Sequence, residues 1–146
     1  MSFNVYDLLG KRGTRQYSAY RIDIQIGVPS VTIRELSLDT EAESSGAIRE
    51  RVMAARAVQV ERFKGKSSSA NGQMTARMVK KFCPVDGPAK DLLEQAVERF
   101  GLSARAYHRI LKLARTIADL ESGKDIEESH IAEAIQYRVL DKKMTL

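Results

Sequence analysis

The stretch from Gly101 to Leu120, GLSARAYHRILKLARTIADL, constrains the fold more than any other part of the chain. Its apolar residues Tyr107, Ile110, Leu111, Ala114, Ile117 and Ala118 recur at spacings of three and four. That pattern puts them on one face of a helix. Gly101 and Leu102 break from the preceding segment, and Ser103 is a good N-cap because its hydroxyl can accept a backbone N–H of the first turn. Leu102 and Tyr107 flank the cap at the spacing of a hydrophobic staple. Arg105, Arg109, Lys112 and Arg115 fall on the other sides. Arg105 lies in the first turn, where the helix dipole disfavours a cation unless an anion sits nearby. It reads either as a solvated surface arginine or as one aimed at a phosphate or carboxylate that the same helix end attracts.

The rest of the chain reads as further helices after one strand. Residues 1–20 form an irregular, poorly ordered or non-native tail. RIDIQIGV, Arg21 to Val28, alternates polar and apolar residues and predicts a strand closed by Gly27, Val28 and Pro29. Residues 30–44 are a polar connector. Ser44 or Ser45 caps a long helix from about Gly46 to Phe63, with Ile48, Val52, Ala55 and Gln59 on one face. Its arginines 49, 51, 56 and 62 alternate with Glu50 and Glu61, as on a solvated face laced with ion pairs. Thr75 or Gln73 starts a short helix to Phe82, ended by Cys83-Pro84 because proline disfavours a helical residue before it. Asp86 caps the next helix, whose stripe is Ala89, Leu92, Leu93, Ala96, Val97 and Phe100, and Gly101 stops it. The last helix, about Glu128 to Leu140, buries Ile131, Ala134 or Ile135, and Val139.

These elements predict an all-α chain, a compact bundle of about five helices preceded by one short strand and an irregular tail. The 146 residues suffice for one domain with a real core. No apolar run is long enough to span a membrane, and the N-terminus has no secretory signal. The single Cys83 cannot form an internal disulfide, which fits a cytoplasmic protein, and it reads as a small packed hydrophobe. The net charge of +5 suggests an anionic partner such as nucleotide or nucleic acid.

Several chemistries are set aside. GKS at Gly65-Lys66-Ser67 has the tail of a phosphate-binding loop, but the required earlier glycine is replaced by Val60 and a helix precedes it. His108 and His130 have no acidic or cysteine cluster around them, so no metal site is expected; His130 reads as a partly exposed helical side chain. No arrangement supports a nucleophile with its base, so no catalytic residue is assigned.

LSARAYHRILKLARTIADL, together with IEESHIAEAIQYR from Ile126 to Arg138, resembles the C-terminal domain of the magnesium-chelatase-related AAA+ ATPase family, of the competence-protein (ComM) type. The spacing of Ile48, Arg49, Arg51, Val52, Arg56 and Gln59 and the NGQM at Asn71 to Met74 are similar to the same family. The resemblance implies a helical lid, residues 45–140, behind an ATPase core, with residues 21–29 the end of that core and 141–146 a tail. Leu102-Ser103-Ala104-Arg105 is similar to the family's sensor 2 element, which implies that Arg105 reaches the nucleotide phosphates, with Arg109 one turn away as the secondary candidate. RIDI implies an arginine finger at Arg21, although Tyr17-Ser18-Ala19-Tyr20 departs from the family's preceding segment. ATP and Mg2+ are then expected in the full-length parent only, which is an ATPase, while this chain alone is inactive. The implied partners are the core and neighbouring subunits of a homo-oligomeric ring, with DNA as a partner of the whole protein.

A different class of function is an independent helical DNA-binding module. It needs Arg49, Arg51, Arg56, Lys80, Lys81 and Arg109 on one continuous face, whereas a lid needs Arg105 at one helix end facing the core.

Overall fold

Short polar side chains set three of the helix starts. Ser44 accepts the Ala47 N–H at 3.2 Å and begins α1, Ser45–Arg62. Thr75 accepts the Met78 N–H at 3.4 Å and begins α2, Ala76–Phe82. Asp86 precedes α3, Gly87–Phe100, but makes no side-chain cap bond there; Pro88 sits in the first turn, where a missing N–H costs nothing. Ser103 accepts the Ala106 N–H at 3.3 Å and begins α4, Ala104–Leu120. The last helix, α5, is Glu128–Lys143. This computed structural model describes residues 43–143, with Ile24, Ile26, Val28 and Ser30 upstream, and gives the backbone alone for residues 138–143.

The break between α3 and α4 follows from one glycine. Gly101 adopts φ 55° and ψ 48°, the left-handed region that residues with a Cβ avoid. In that turn the Leu102 N–H reaches the Val97 carbonyl at 3.0 Å and closes the helix end. Leu102 and Tyr107, the expected staple, both pack half-buried against the core.

The core is the shared face of these helices. Leu93, Ile110, Ala114, Ile131 and Ala134 are wholly buried, and Val79, Met74, Phe63, Cys83 and Ile126 close around them. Each buried Leu or Ile contributes on the order of 1.5–3 kcal/mol of apolar transfer. α4 is the centre: α1, α2, α5 and the short 3-10 turn Asn71–Gln73 all pack on it, and α3 packs on α5. The all-α bundle of five helices is therefore as expected among the described residues.

α1 departs from the expected pattern. Ala55 and Gln59 are buried, but Ile48 and Val52 on the same face are 41% and 44% exposed. Every residue from Ser45 to Ala54 is exposed. α1 packs on α4, and its buried residues, Ala55 and Gln59, lie in its C-terminal half.

The strand expected over residues 21–29 lies for the most part outside the described residues. The three of its apolar residues that are described, Ile24, Ile26 and Val28, are exposed and in no regular element. The tail of residues 1–20, Arg21 and most of the connector also lie outside, as does the Val139 side chain. No described helix is long and apolar enough to cross a membrane.

Candidate functional site

Arg105 occupies the first turn of α4, one residue beyond the first helical residue and two beyond the cap. That turn holds no acidic residue. Arg105 is exposed and makes no hydrogen bond or ion pair among the described residues. A guanidinium here faces the positive end of the helix dipole without a carboxylate to offset it. Its fork of donors and the free backbone N–H groups of the same turn suit a planar or tetrahedral oxyanion. Arg109, one turn on, is half-buried and already has an interaction partner within the protein.

What fixes the helix carrying Arg105 is a buried polar cluster at its other end. Asp119 is fully buried. Arg62, at the end of α1, grips it with both arms: Nη1 to Oδ2 and Nη2 to Oδ1, each at 2.6 Å. Arg115, one turn earlier on α4, donates from Nε to Oδ1 at 3.1 Å. Asn71 donates from Nδ2 to Oδ2 at 2.8 Å and to Thr116 Oγ1 at 3.1 Å, and its Oδ1 accepts from Arg62 at 2.9 Å. The Gln59 side chain accepts the Asn71 N–H at 3.3 Å. Arg115 also donates to the carbonyls of Gly123 and Lys124, at 2.6 and 2.8 Å, in the turn to α5. Among the described residues no buried side-chain nitrogen or oxygen is left unpaired.

One carboxylate thus joins the end of α1, the 3-10 turn, α4 and the α4–α5 turn. Burial alone would push the Asp119 carboxyl up, but the hydrogen bonds from Arg62 and Asn71 and the charges of Arg62 and Arg115 outweigh it and hold the group below its ordinary range. The cluster contains two guanidiniums and one carboxylate, so it is ionised and cationic at neutral pH. It is structural in its geometry: among the described residues every buried side-chain nitrogen and oxygen has a partner within the protein.

Three side chains differ from their expected places. Arg115 was expected on a polar side of the central helix but is only 3% exposed. Arg62 was expected on a solvated face but is paired with a buried carboxylate. The reason for both is Asp119, which lies on the border of the apolar stripe and cannot be buried without cations. His130, expected partly exposed, is 3% exposed. Its Nδ1 accepts the Glu127 N–H at 2.8 Å, and its Nε2 lies 3.0 Å from the exposed Glu121 carboxylate. The imidazole therefore closes the first turn of α5 as a capping-box side chain does.

Cys83 is buried as expected, and burial pushes its thiol up to about 11. The Gly65-Lys66-Ser67 run forms the turn after α1, with Gly65 at φ +72°. Among the described residues no group of three or more His, Cys, Asp and Glu side chains comes together.

Residues 42–138 match the family described as magnesium chelatase, subunit ChlI C-terminal. The chain is 36% identical over 121 residues to competence protein ComM of Haemophilus influenzae, covering 82% of this chain and 23% of that protein. It is 35% identical over 123 residues to the protein YifB of Salmonella typhimurium, covering 84% of this chain and 24% of that one. YifB of Escherichia coli is 34% identical over the same length, with the same shares covered. The chain thus spans about a quarter of the length of the curated relatives it matches.

Proposed function

The chain belongs to the magnesium-chelatase-related family, of the ComM type, through its C-terminal domain, and on that premise we propose that it is the helical lid of an AAA+ ATPase. In this reading the lid packs behind an ATPase core and supplies Arg105 to the phosphates of ATP bound there. The observation that carries it is the state of Arg105: exposed, in the first turn of a Ser103-capped helix, with no acidic partner among the described residues. Arg109 is the weaker candidate, because it is half-buried and already engaged.

ATP and Mg2+ are held in the main by the parent's core, with the lid adding one arginine. The arginine is a strong ligand for phosphate oxygens because its charge and its paired N–H donors act together. Its position depends on α4, and α4 is tied to α1 through Asp119 and Arg62. A lid built this way moves as one body, so binding at Arg105 shifts the whole bundle relative to the core. Nucleotide state is thereby coupled to motion in a homo-oligomeric, cytoplasmic ring that acts on DNA. Arg21, outside the described residues, has the complementary role of an arginine finger for a neighbouring subunit.

The test is nucleotide affinity in the longer protein that carries this domain. Replacing Arg105 with Ala is expected to weaken ATP more than ADP, since the arginine meets the terminal phosphates. Equal weakening of both, or none, would count against the assignment.

A further inference from the structure

From Arg62 to Val85 the chain contains Arg62, Lys64, Lys66, Arg77, Lys80 and Lys81 and not one Asp or Glu. Two of these cations are already neutralised: Arg62 by Asp119, and Lys64 by Glu61 at 3.6 Å. Lys66, Arg77, Lys80 and Lys81 are all exposed and form no ion pair among the described residues. They lie together. The Lys66 and Lys81 ammoniums sit 5.7 and 5.4 Å from the centre of one ring, Phe82, so the loop after α1 and the helix α2 present their charge at the same place. Arg77 is one turn before Lys81 on α2, and Lys80 adjoins it.

We infer that this surface, Lys66 with Arg77, Lys80 and Lys81, binds the phosphate backbone of a nucleic acid. The choice of partner follows from what the surface lacks. A protein interface is centred on exposed apolar or aromatic anchors, and none of the exposed large apolar residues falls between residues 62 and 85. Unpaired cations spread over a loop and a helix, with no acid among them, are the footprint of phosphate contacts without base reading. The favourable position of Lys80 and Lys81 in the last turn of α2 accounts for those two through the helix dipole, but not for Lys66 and Arg77. The site shares Lys80 and Lys81 with the face spelled out by Arg49, Arg51, Arg56, Lys80, Lys81 and Arg109, and departs from it in the rest. In that set Arg51 is bonded to Glu43 at 2.7 Å, Arg56 to Gln59 at 3.2 Å, and Arg109 is engaged.

The inference is independent of the role of Arg105, and its test reads no nucleotide. Fluorescence anisotropy of a labelled oligonucleotide, single-stranded and duplex, is measured against the whole chain across a salt series. The triple replacement Arg77→Gln, Lys80→Gln, Lys81→Gln is compared with Lys90→Gln, Arg99→Gln, Lys124→Gln, which removes the same charge elsewhere. Circular dichroism confirms that both variants fold. Binding is expected to weaken with salt, and the first variant to lose about tenfold or more in affinity at low salt, with a log–log salt slope shallower by roughly 2–3. The second variant is expected to keep the wild-type slope. No binding at low salt, equal losses in the two variants, or tighter binding to polyglutamate than to the oligonucleotide would each overturn the inference.

Discussion

Arg62 and Asp119, 57 residues apart in the chain, meet in a two-armed ion pair with both N–O distances at 2.6 Å. The Asp119 side chain is fully buried and the Arg62 side chain 14% exposed. With the Gln59–Asn71 bond, the pair is a polar attachment of α1 to the bundle at the end where that helix is buried. Replacing Asp119 with Ala leaves Arg62 and Arg115 without their carboxylate counter-charge, with only the neutral acceptors Asn71 Oδ1 and the Gly123 and Lys124 carbonyls remaining. The expected loss is about 3–5 kcal/mol, read as a lower urea midpoint by circular dichroism. Arg62→Ala should cost less, because Arg115 and Asn71 still hold the carboxylate.

The same pair sets an acid limit. The Asp119 carboxyl is held below its ordinary range in the folded protein, and an unfolded aspartate titrates near about 3.9. A group lowered on folding adds stability that is present above the unfolded value and lost as pH falls through the folded one. Stability should therefore fall once the pH drops below about 4, where the unfolded aspartate takes up a proton that the folded Asp119 resists. An Asp119→Asn variant should be weaker at pH 7 and show a flatter acid limb, measured by urea melts across the pH series.

Cys83 gives a simpler expectation. With its thiol pushed up to about 11 by burial, against the opposing charges of Arg115 and Arg62, almost none is thiolate at neutral pH. Alkylation at pH 7.5 should be far slower than for free cysteine and should reach the free rate in denaturing urea. A fast native reaction would mean that the α2–α3 junction opens readily.

His130 closes α5 by accepting the Glu127 N–H. His130→Ala removes that bond and leaves a hole beside Gly123, where a Cβ would already stand 3.6 Å from the ring. The expected cost is about 1–2 kcal/mol, seen as a lower thermal midpoint. His130→Gln, which can still accept the N–H, should recover part of it.

These elements also mark the limit of what the residues foretell. The caps Ser44, Thr75 and Ser103, the stop at Gly101 and the stripes of α3 and α4 were legible because each signal lies within one or two helical turns. Arg62, Asn71, Arg115 and Asp119 were not, because each alone looks like a surface residue and their pairing depends on contacts far apart in sequence. His130 was hidden for a related reason: its cap bond is local, but its burial depends on the turn at Gly123 folding over it. Arg105 stands out in the sequence as a charge out of place in a first turn, and the role proposed for it rests on the LSAR resemblance. The outer half of α1 misled in the other direction, since its apolar residues suggested a buried face, whereas Ile48 and Val52 are exposed.

The most direct test of the central claim is ATP turnover by the longer protein that carries this domain, with Arg105→Ala and Arg109→Ala measured side by side and their folding checked by circular dichroism. The account predicts that Arg105→Ala loses most turnover at saturating ATP while Arg109→Ala keeps most of it. Unchanged turnover in a folded Arg105→Ala protein would contradict the account and remove Arg105 from the nucleotide.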